Sequence, residues 1–213
     1  MKKNCLLLFM CLMALCGCYP EGPDYVDELD VVLTNRQPDF DTLTAMTYSM
    51  PNEVVIIDDD DFTDFDDDNE PEFVDEPYRS AILNTVRDNM ENYGWQEVSL
   101  EQRADVVLLV SVSQTTNVFY YYDWYYWNWY FGGYYNPWGW YYPGYYYPSV
   151  SSYRTGSVFI QLTEPNNQTA DDRAPVVWSG VLNGLLEGSN TNITNRIEEG
   201  VNKAFDQSPY LQR

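Results

Sequence analysis

The chain has 213 residues, with 33 acidic against 11 basic side chains and no histidine, for a formal net charge of −22. Such a surface repels phosphate backbones and excludes nucleic-acid binding, whose affinity is largely phosphate neutralisation by Lys and Arg. The absence of histidine removes the Ser-His-Asp and Cys-His constellations, and with them the commonest metal ligand.

Residues 1–17 read as a lipoprotein-type signal peptide. Lys2 and Lys3 form a basic n-region, Leu6 to Leu15 an apolar h-region, and Leu15-Cys16-Gly17-Cys18 resembles a lipobox, with Cys16 where Ala or Ser is more usual. The apolar run is about half the roughly twenty residues that a spanning helix needs. Cleavage and lipidation at Cys18 is therefore the expectation, and an ordinary secretory signal cleaved elsewhere is the alternative. Of the four cysteines only Cys18 would survive processing, which leaves no internal disulfide and no thiolate cluster, so stability must come from a hydrophobic core. No cofactor or metal is expected. Loss of Lys2 and Lys3 leaves nine basic and 33 acidic residues, a net charge of −24, so the acyl chains on Cys18 are the expected membrane tether.

Residues 18–27 form a polar tether without hydrophobic periodicity. The acids Glu21, Asp24 and Asp27 resemble export tags of some outer-membrane lipoproteins. The expected location is the cell envelope at the outer membrane, with the periplasmic and surface faces both open. A single domain is expected over residues 28–207.

Leu29 to Thr34 reads as a first strand, and Thr44 to Ser49 with Val54 to Ile57 as a second strand region divided by Pro51. Asp58 to Glu76 holds twelve acids and no base, a self-repelling block expected to be disordered. Calcium is the alternative for so many carboxylates, but the block lacks the glycine and the spaced final Glu of an EF-hand. Pro77 to Tyr93 predicts a helix, with Tyr78, Ile82, Val86, Met90 and Tyr93 on one face and Gly94 as the stop. Trp95 to Ser99 suits a short strand. Ala104 to Ser113 predicts a central one, apolar on both faces through Val106, Val107, Leu108, Leu109, Val110 and Val112.

Between Phe119 and Tyr147, 20 of 29 residues are aromatic, comprising 13 Tyr, 5 Trp and 2 Phe. The other nine are Gly, Pro, Asn and Asp. Each Tyr or Trp can bury on the order of 150–250 Å², so the run carries roughly 3,000–5,000 Å², against the few hundred Å² of apolar patch that a monomer usually exposes. It must pack on itself, on its own domain or on something else. The run contains no Leu, Ile, Val, Lys or Arg, which tells against a bilayer span and a phosphate-binding groove.

Gly156 to Glu164 and Val176 to Leu186 read as an antiparallel hairpin, with Trp178 near the start of its second strand. Ile193, Ile197, Val201, Ala204 and Phe205 then fall at helical spacing, with Thr191 or Asn192 as the N-cap and Pro209 as the end.

These pieces resemble the bacterial lipoprotein family called domain-of-unknown-function family 4136. The matching features are Gly94-Trp95 at a helix end, the Ala-Asp-Val-Val-Leu-Leu-Val strand at Ala104 to Val110, Gly-x-Val-x-Ile at Gly156 to Ile160, and Val-Trp-x-Gly at Val177 to Gly180 before a last helix. The resemblance covers most of Tyr25 to Phe205. It implies one α+β domain, a mainly antiparallel sheet with two helices packed on one face, plus an aromatic low-complexity loop. It implies no catalytic residues, and the chain departs from the pattern in the length of that loop and in its acidic insertion.

The functional expectation is a non-catalytic binding or assembly module, with the aromatic run as contact surface for an envelope protein or a glycan. Tyr with Gly and Asn gives adaptable, amphipathic recognition surfaces at low entropic cost. Trp124, Trp127, Trp129, Trp138 and Trp140, with Tyr134 and Tyr141, are the candidate contact residues, because buried anchors are enriched in Trp and Tyr. One alternative is an envelope-structural protein whose run merely caps the sheet or touches the membrane interface. Another is a hydrolase using paired carboxylates, disfavoured because the acids lie on predicted surfaces with no apolar cause for a raised pKa.

Overall fold

Five consecutive apolar residues followed by Ser-Val-Ser extend Val106–Ser113 into the strand that organises the sheet, and every side chain along it is buried. In the computed structural model the described residues are 30–38, 44–57, 72–113, 140–141, 156–167, 174–184 and 193–213. The elements, in chain order, are β1 (Val31–Arg36), β2 (Thr47–Ser49), β3 (Val55–Ile57), α1 (Tyr78–Asn92), β4 (Gln96–Glu97), β5 (Val106–Ser113), β6 (Trp140–Tyr141), β7 (Ser157–Thr163), β8 (Ala174–Asn183) and α2 (Ile193–Asp206). Short 3-10 turns cover Leu100–Gln102 and Pro209–Leu211.

One mixed sheet runs in the order β1-β8-β7-β5-β2-β4, with β3 also paired to β5. The three ladders β1/β8, β8/β7 and β7/β5 are antiparallel. The other edge is parallel, because the chain crosses over through α1 between β3 and β5. Tyr48 pairs with Val106 and Val55 with Ser111, so seven steps along the β2–β3 segment match five along β5. The two surplus residues fall around Pro51, which cannot donate to a ladder.

Both helices lie on one face. Ile82, Leu83, Val86 and Met90 of α1, with Ile193, Ile197, Val201, Ala204 and Phe205 of α2, form one core with Val106, Leu108 and Val110, Val158, Ile160 and Leu162, and Trp178 and Leu182. Gly180 explains the Val-Trp-x-Gly pattern. A Cβ there would sit 3.0 Å from the ring of Trp178 and 3.4 Å from Ala204, so its absence lets α2 close over the indole. At the end of α1, Gly94 has φ of +89°, Trp95 N donates to Met90 O at 3.0 Å, and Gly94 N donates to Glu91 O at 2.9 Å. This is the Schellman stop that the sequence predicts.

Three expectations need amendment. The end of the acidic block is part of the fold: Val74 N donates to Val54 O, Ile56 N donates to Glu72 O, Val74 is buried, and Glu76 accepts from Ser80 N and Ser80 Oγ at the start of α1. The domain also extends past 207, since Ser208 and Leu211 are fully buried. Trp178 Nε1 donates to Ser208 Oγ at 2.9 Å and Trp95 Nε1 to Leu211 O at 2.8 Å, so both indoles are satisfied from the C-terminal turn. Within the aromatic run, Trp140–Tyr141 is a strand, parallel to Ala174 and Pro175 at the start of β8. Residues 58–71 and the expected caps Thr191 and Asn192 lie outside the described residues.

Candidate functional site

β5 and β7 are direct neighbours, paired from Val107↔Thr163 to Ser113↔Ser157, and the chain joining them contains the whole aromatic run. Its base is fixed at the end where β5 leaves the sheet and β7 enters it. Gly156 N donates to Ser113 O at 2.6 Å, with Gly156 at φ of +82° where a side chain would be strained. Ser157 Oγ donates to Asn183 Oδ1 at 2.9 Å and accepts from Gly184 N at 3.1 Å. Two central strands and a polar clamp therefore bound the connection that contains the run.

Of the candidate contact residues, Trp140 and Tyr141 are placed, paired to Ala174 and Pro175. Trp124, Trp127, Trp129, Trp138 and Tyr134, together with Cys18, lie outside the described residues. The two tryptophans elsewhere in the chain belong to the helix-side core. Trp178 packs against Phe205 at 5.6 Å between ring centroids, and Trp95 is covered by the Arg213 guanidinium at 4.2 Å.

Five of the described carboxylates are engaged structurally. Asp30 holds Arg196 by a two-point contact of 2.6 and 2.7 Å, Glu53 and Glu76 hold Arg79, and Glu97 holds Arg87. Asp105, which in the sequence is only the second residue of a strand motif, has a role that the sequence does not announce. Its Oδ2 accepts from Met46 N at 3.0 Å, Thr47 N at 2.9 Å and Thr47 Oγ1 at 2.7 Å, while Asp105 N donates to Thr47 Oγ1 at 3.0 Å. Partial burial acts to raise its pKa, but these hydrogen bonds outweigh burial and hold the carboxyl below its usual range. The lock fixes the register of the parallel β2/β5 pair. The signal available in sequence is an acid set directly before five consecutive apolar residues, Val106 to Val110. Burial, aided by Glu97, raises the Tyr48 phenol well above the ordinary tyrosine range, so it stays neutral.

A polar groove of about 610 Å³ lies between α1 and α2, lined by Ser80, Asn84, Asp88, Glu198 and Asn202 among others, with no aromatic ring. Among the described residues no group of three acids, cysteines or histidines could hold a metal ion, and no helix is long and apolar enough to cross a membrane.

The domain of unknown function DUF4136 matches this chain over residues 32–210. The protein belongs to the DUF4136 family. A crystal structure of a DUF4136 family protein from Bacteroides thetaiotaomicron is similar at 31% identity and a TM-score of 0.60, covering 86% of this chain and 97% of that one. A PelC dodecamer from Paraburkholderia phytofirmans is similar at 12% identity and a TM-score of 0.38, over 86% of this chain and 98% of that one. A DUF330 protein from Xanthomonas campestris follows at 9% identity and a TM-score of 0.32, over 84% and 89%. No curated protein matches the chain. The residues on which the resemblance rests have physical roles in this fold: Asp105 locks two strands, Gly94 ends a helix, and Gly180 admits α2.

Proposed function

We propose that this DUF4136 protein is a cell-envelope lipoprotein, held at the outer membrane by acyl chains on Cys18. In this reading it is a non-catalytic binding or assembly module whose residues 119–147 make the contact with an envelope protein or a glycan. The observation that carries the reading is the placement of 20 aromatic residues in a single connection between two central strands, on a base closed by Ser113, Gly156, Ser157 and Asn183. Rigid rings mounted on such a scaffold lose little entropy on binding. A non-catalytic role agrees with the employment of Asp30, Glu53, Glu76, Glu97 and Asp105 in holding arginines or backbone.

The test is cross-linking of the full chain in intact envelopes, followed by pull-down. Ala at Trp124, Trp127, Trp129, Trp138 and Trp140 together should remove most of the captured protein or glycan, and undiminished capture would refute the contact role. Cys18→Ala should leave unprocessed precursor without incorporated fatty acid; normal labelling in that variant would refute the anchor.

A further inference from the structure

Gly184 follows Asn183 at the end of β8, and this is the one Asn-Gly step in the chain. Such a step is the most open of all to deamidation, because glycine has no Cβ to hinder attack by its backbone nitrogen on the amide before it. The nitrogen of Gly184 would bond to Cγ of Asn183, and Nδ2 would leave as ammonia, carrying off the backbone proton. One water then opens the resulting succinimide at either carbonyl, giving aspartate or isoaspartate at position 183. The reaction consumes no oxidant and needs no other reactant.

The fold requires both residues of this labile step. Gly184 has φ of +81°, where a side chain would be strained. Asn183 pairs with Val31 of β1 and accepts from Ser157 Oγ, closing the end of the sheet where β5 and β7 part.

We infer that Asn183–Gly184 is a latent modification site and that the buried hydroxyl of Ser157 is its guard. One oxygen holds both reacting groups: Ser157 Oγ donates to Asn183 Oδ1 at 2.9 Å and accepts from Gly184 N at 3.1 Å. To attack, the nitrogen must lose its hydrogen and turn the face of its peptide plane toward Cγ, and that hydrogen is the one bound to Ser157. On its other side Gly184 is held through its carbonyl, which accepts from Arg196 Nη2 at 3.2 Å. Arg196 is in turn fixed by Asp30 through contacts of 2.6 and 2.7 Å. Ser157 is fully buried, so solvent does not compete for its hydroxyl, whereas Asn183 is half-buried and lies within reach of the water that ring opening needs.

In a folded chain the reaction proceeds from the fraction of molecules in which the end of β8 has opened, so its rate is that of the free step multiplied by the opening equilibrium. Two hydrogen bonds to one buried hydroxyl, at the usual net worth of each, lower that fraction about tenfold or more. The products matter to the fold. Isoaspartate inserts an extra carbon into the backbone at the Asn183↔Val31 pair, and aspartate adds a negative charge beside a buried hydroxyl in a chain already at −22. The assignment goes beyond the contact reading and does not depend on it, since it concerns only the clamp and not what the aromatic run meets.

The test holds the full chain at mildly alkaline pH, folded in buffer or unfolded in concentrated urea, and follows every asparagine by peptide mapping with isoaspartate resolved from aspartate. Position 183 should convert fastest of all the asparagines in urea and many-fold more slowly in the folded chain. Equal rates at 183 in the two states would overturn the proposal. Ser157→Ala, and Ser157→Cys with its weakly bonding thiol, separate the guard from general burial. With far-ultraviolet circular dichroism retained, either should raise conversion at 183 about tenfold and speed hydrogen exchange of the Gly184 amide in step, while the other asparagines keep their wild-type rates. A folded variant with the wild-type rate at 183 would overturn the role of Ser157. If neither variant folds, wild type in low urea decides: conversion at 183 and exchange at Gly184 should rise together, and conversion that rises while exchange does not would overturn the shared clamp.

Discussion

Asp105 shows how much can hang on one side chain that a strand motif contains but does not explain. It is an exposed acid at the foot of β5, yet its single carboxylate gathers three donors from Met46 and Thr47 and so sets the register of the parallel edge. Hydrogen bonds to an ionised group are worth about 1.5–3 kcal/mol when shielded; discounted for solvent access, Asp105→Asn should cost about 1 kcal/mol at neutral pH. Because the folded-state pKa is depressed, the stabilisation is complete above the ordinary carboxylate range and is lost as pH falls through the folded value. Denaturant unfolding of wild type and variant should therefore differ at pH 7 and converge once the pH is well below about 4. A gap that persists undiminished at about pH 2 would show that the ionised carboxylate is not the cause. Gly94 and Gly180 are legible in the sequence as residues to notice, but only packing reveals that one needs a positive φ and the other needs room for Trp178 and Ala204.

Elements with a clear period are readable from the sequence. β5, β7, β8 and both helices follow from alternation or from spacings of three and four, because each buries one full face in the same core. β6 is not readable, since a run with aromatic residues at nearly every position has no period to break. The parallel direction of β2 and β3 is equally hidden, being set by the α1 crossover and the Asp105 lock rather than by strand composition. The C-terminal turn escapes for a different reason: its few residues carry no pattern, and their value lies in the partners they meet. Removing Ser208 to Arg213 would take the acceptors from two buried indoles, at about 1–3 kcal/mol each, and the Leu211 side chain from the core, at about 1.5–3 kcal/mol. The expected loss of several kcal/mol is a large part of the roughly 5–15 kcal/mol typical of a domain. Thermal unfolding of the truncated chain should show a melting temperature lowered by about ten degrees or more, or no cooperative transition. A shift of only about a degree or two would mean that the two indoles find other acceptors.

For the whole molecule, charge outweighs every other feature of the surface. Arg79 and Arg87 form partly exposed ion pairs with Glu53, Glu76 and Glu97, worth roughly 0–1 kcal/mol each and weakened by salt, whereas the Arg196–Asp30 pair is largely buried and screened much less. Against them stand 33 acids with 11 bases in the full chain, whose mutual repulsion also weakens with salt but with the opposite effect on stability. Repulsion should win, because the excess of negative charge far exceeds what these pairs neutralise. Raising monovalent salt from about 0.01 M to 0.5 M shortens the screening length from roughly 30 Å to under 8 Å, and should raise the melting temperature. Asp59 to Asp68 holds seven of the acids, so deleting that segment should move the net charge of the full chain from −22 to −15, leave the fold intact, and flatten the salt response. Val74 and Glu76 must be kept, since they belong to the core and to the start of α1. Calcium provides the contrasting outcome. If millimolar calcium stabilises the intact chain more than sodium of equal ionic strength does, and the deletion abolishes that difference, the acidic block is a cation site and repulsion alone is not its contribution.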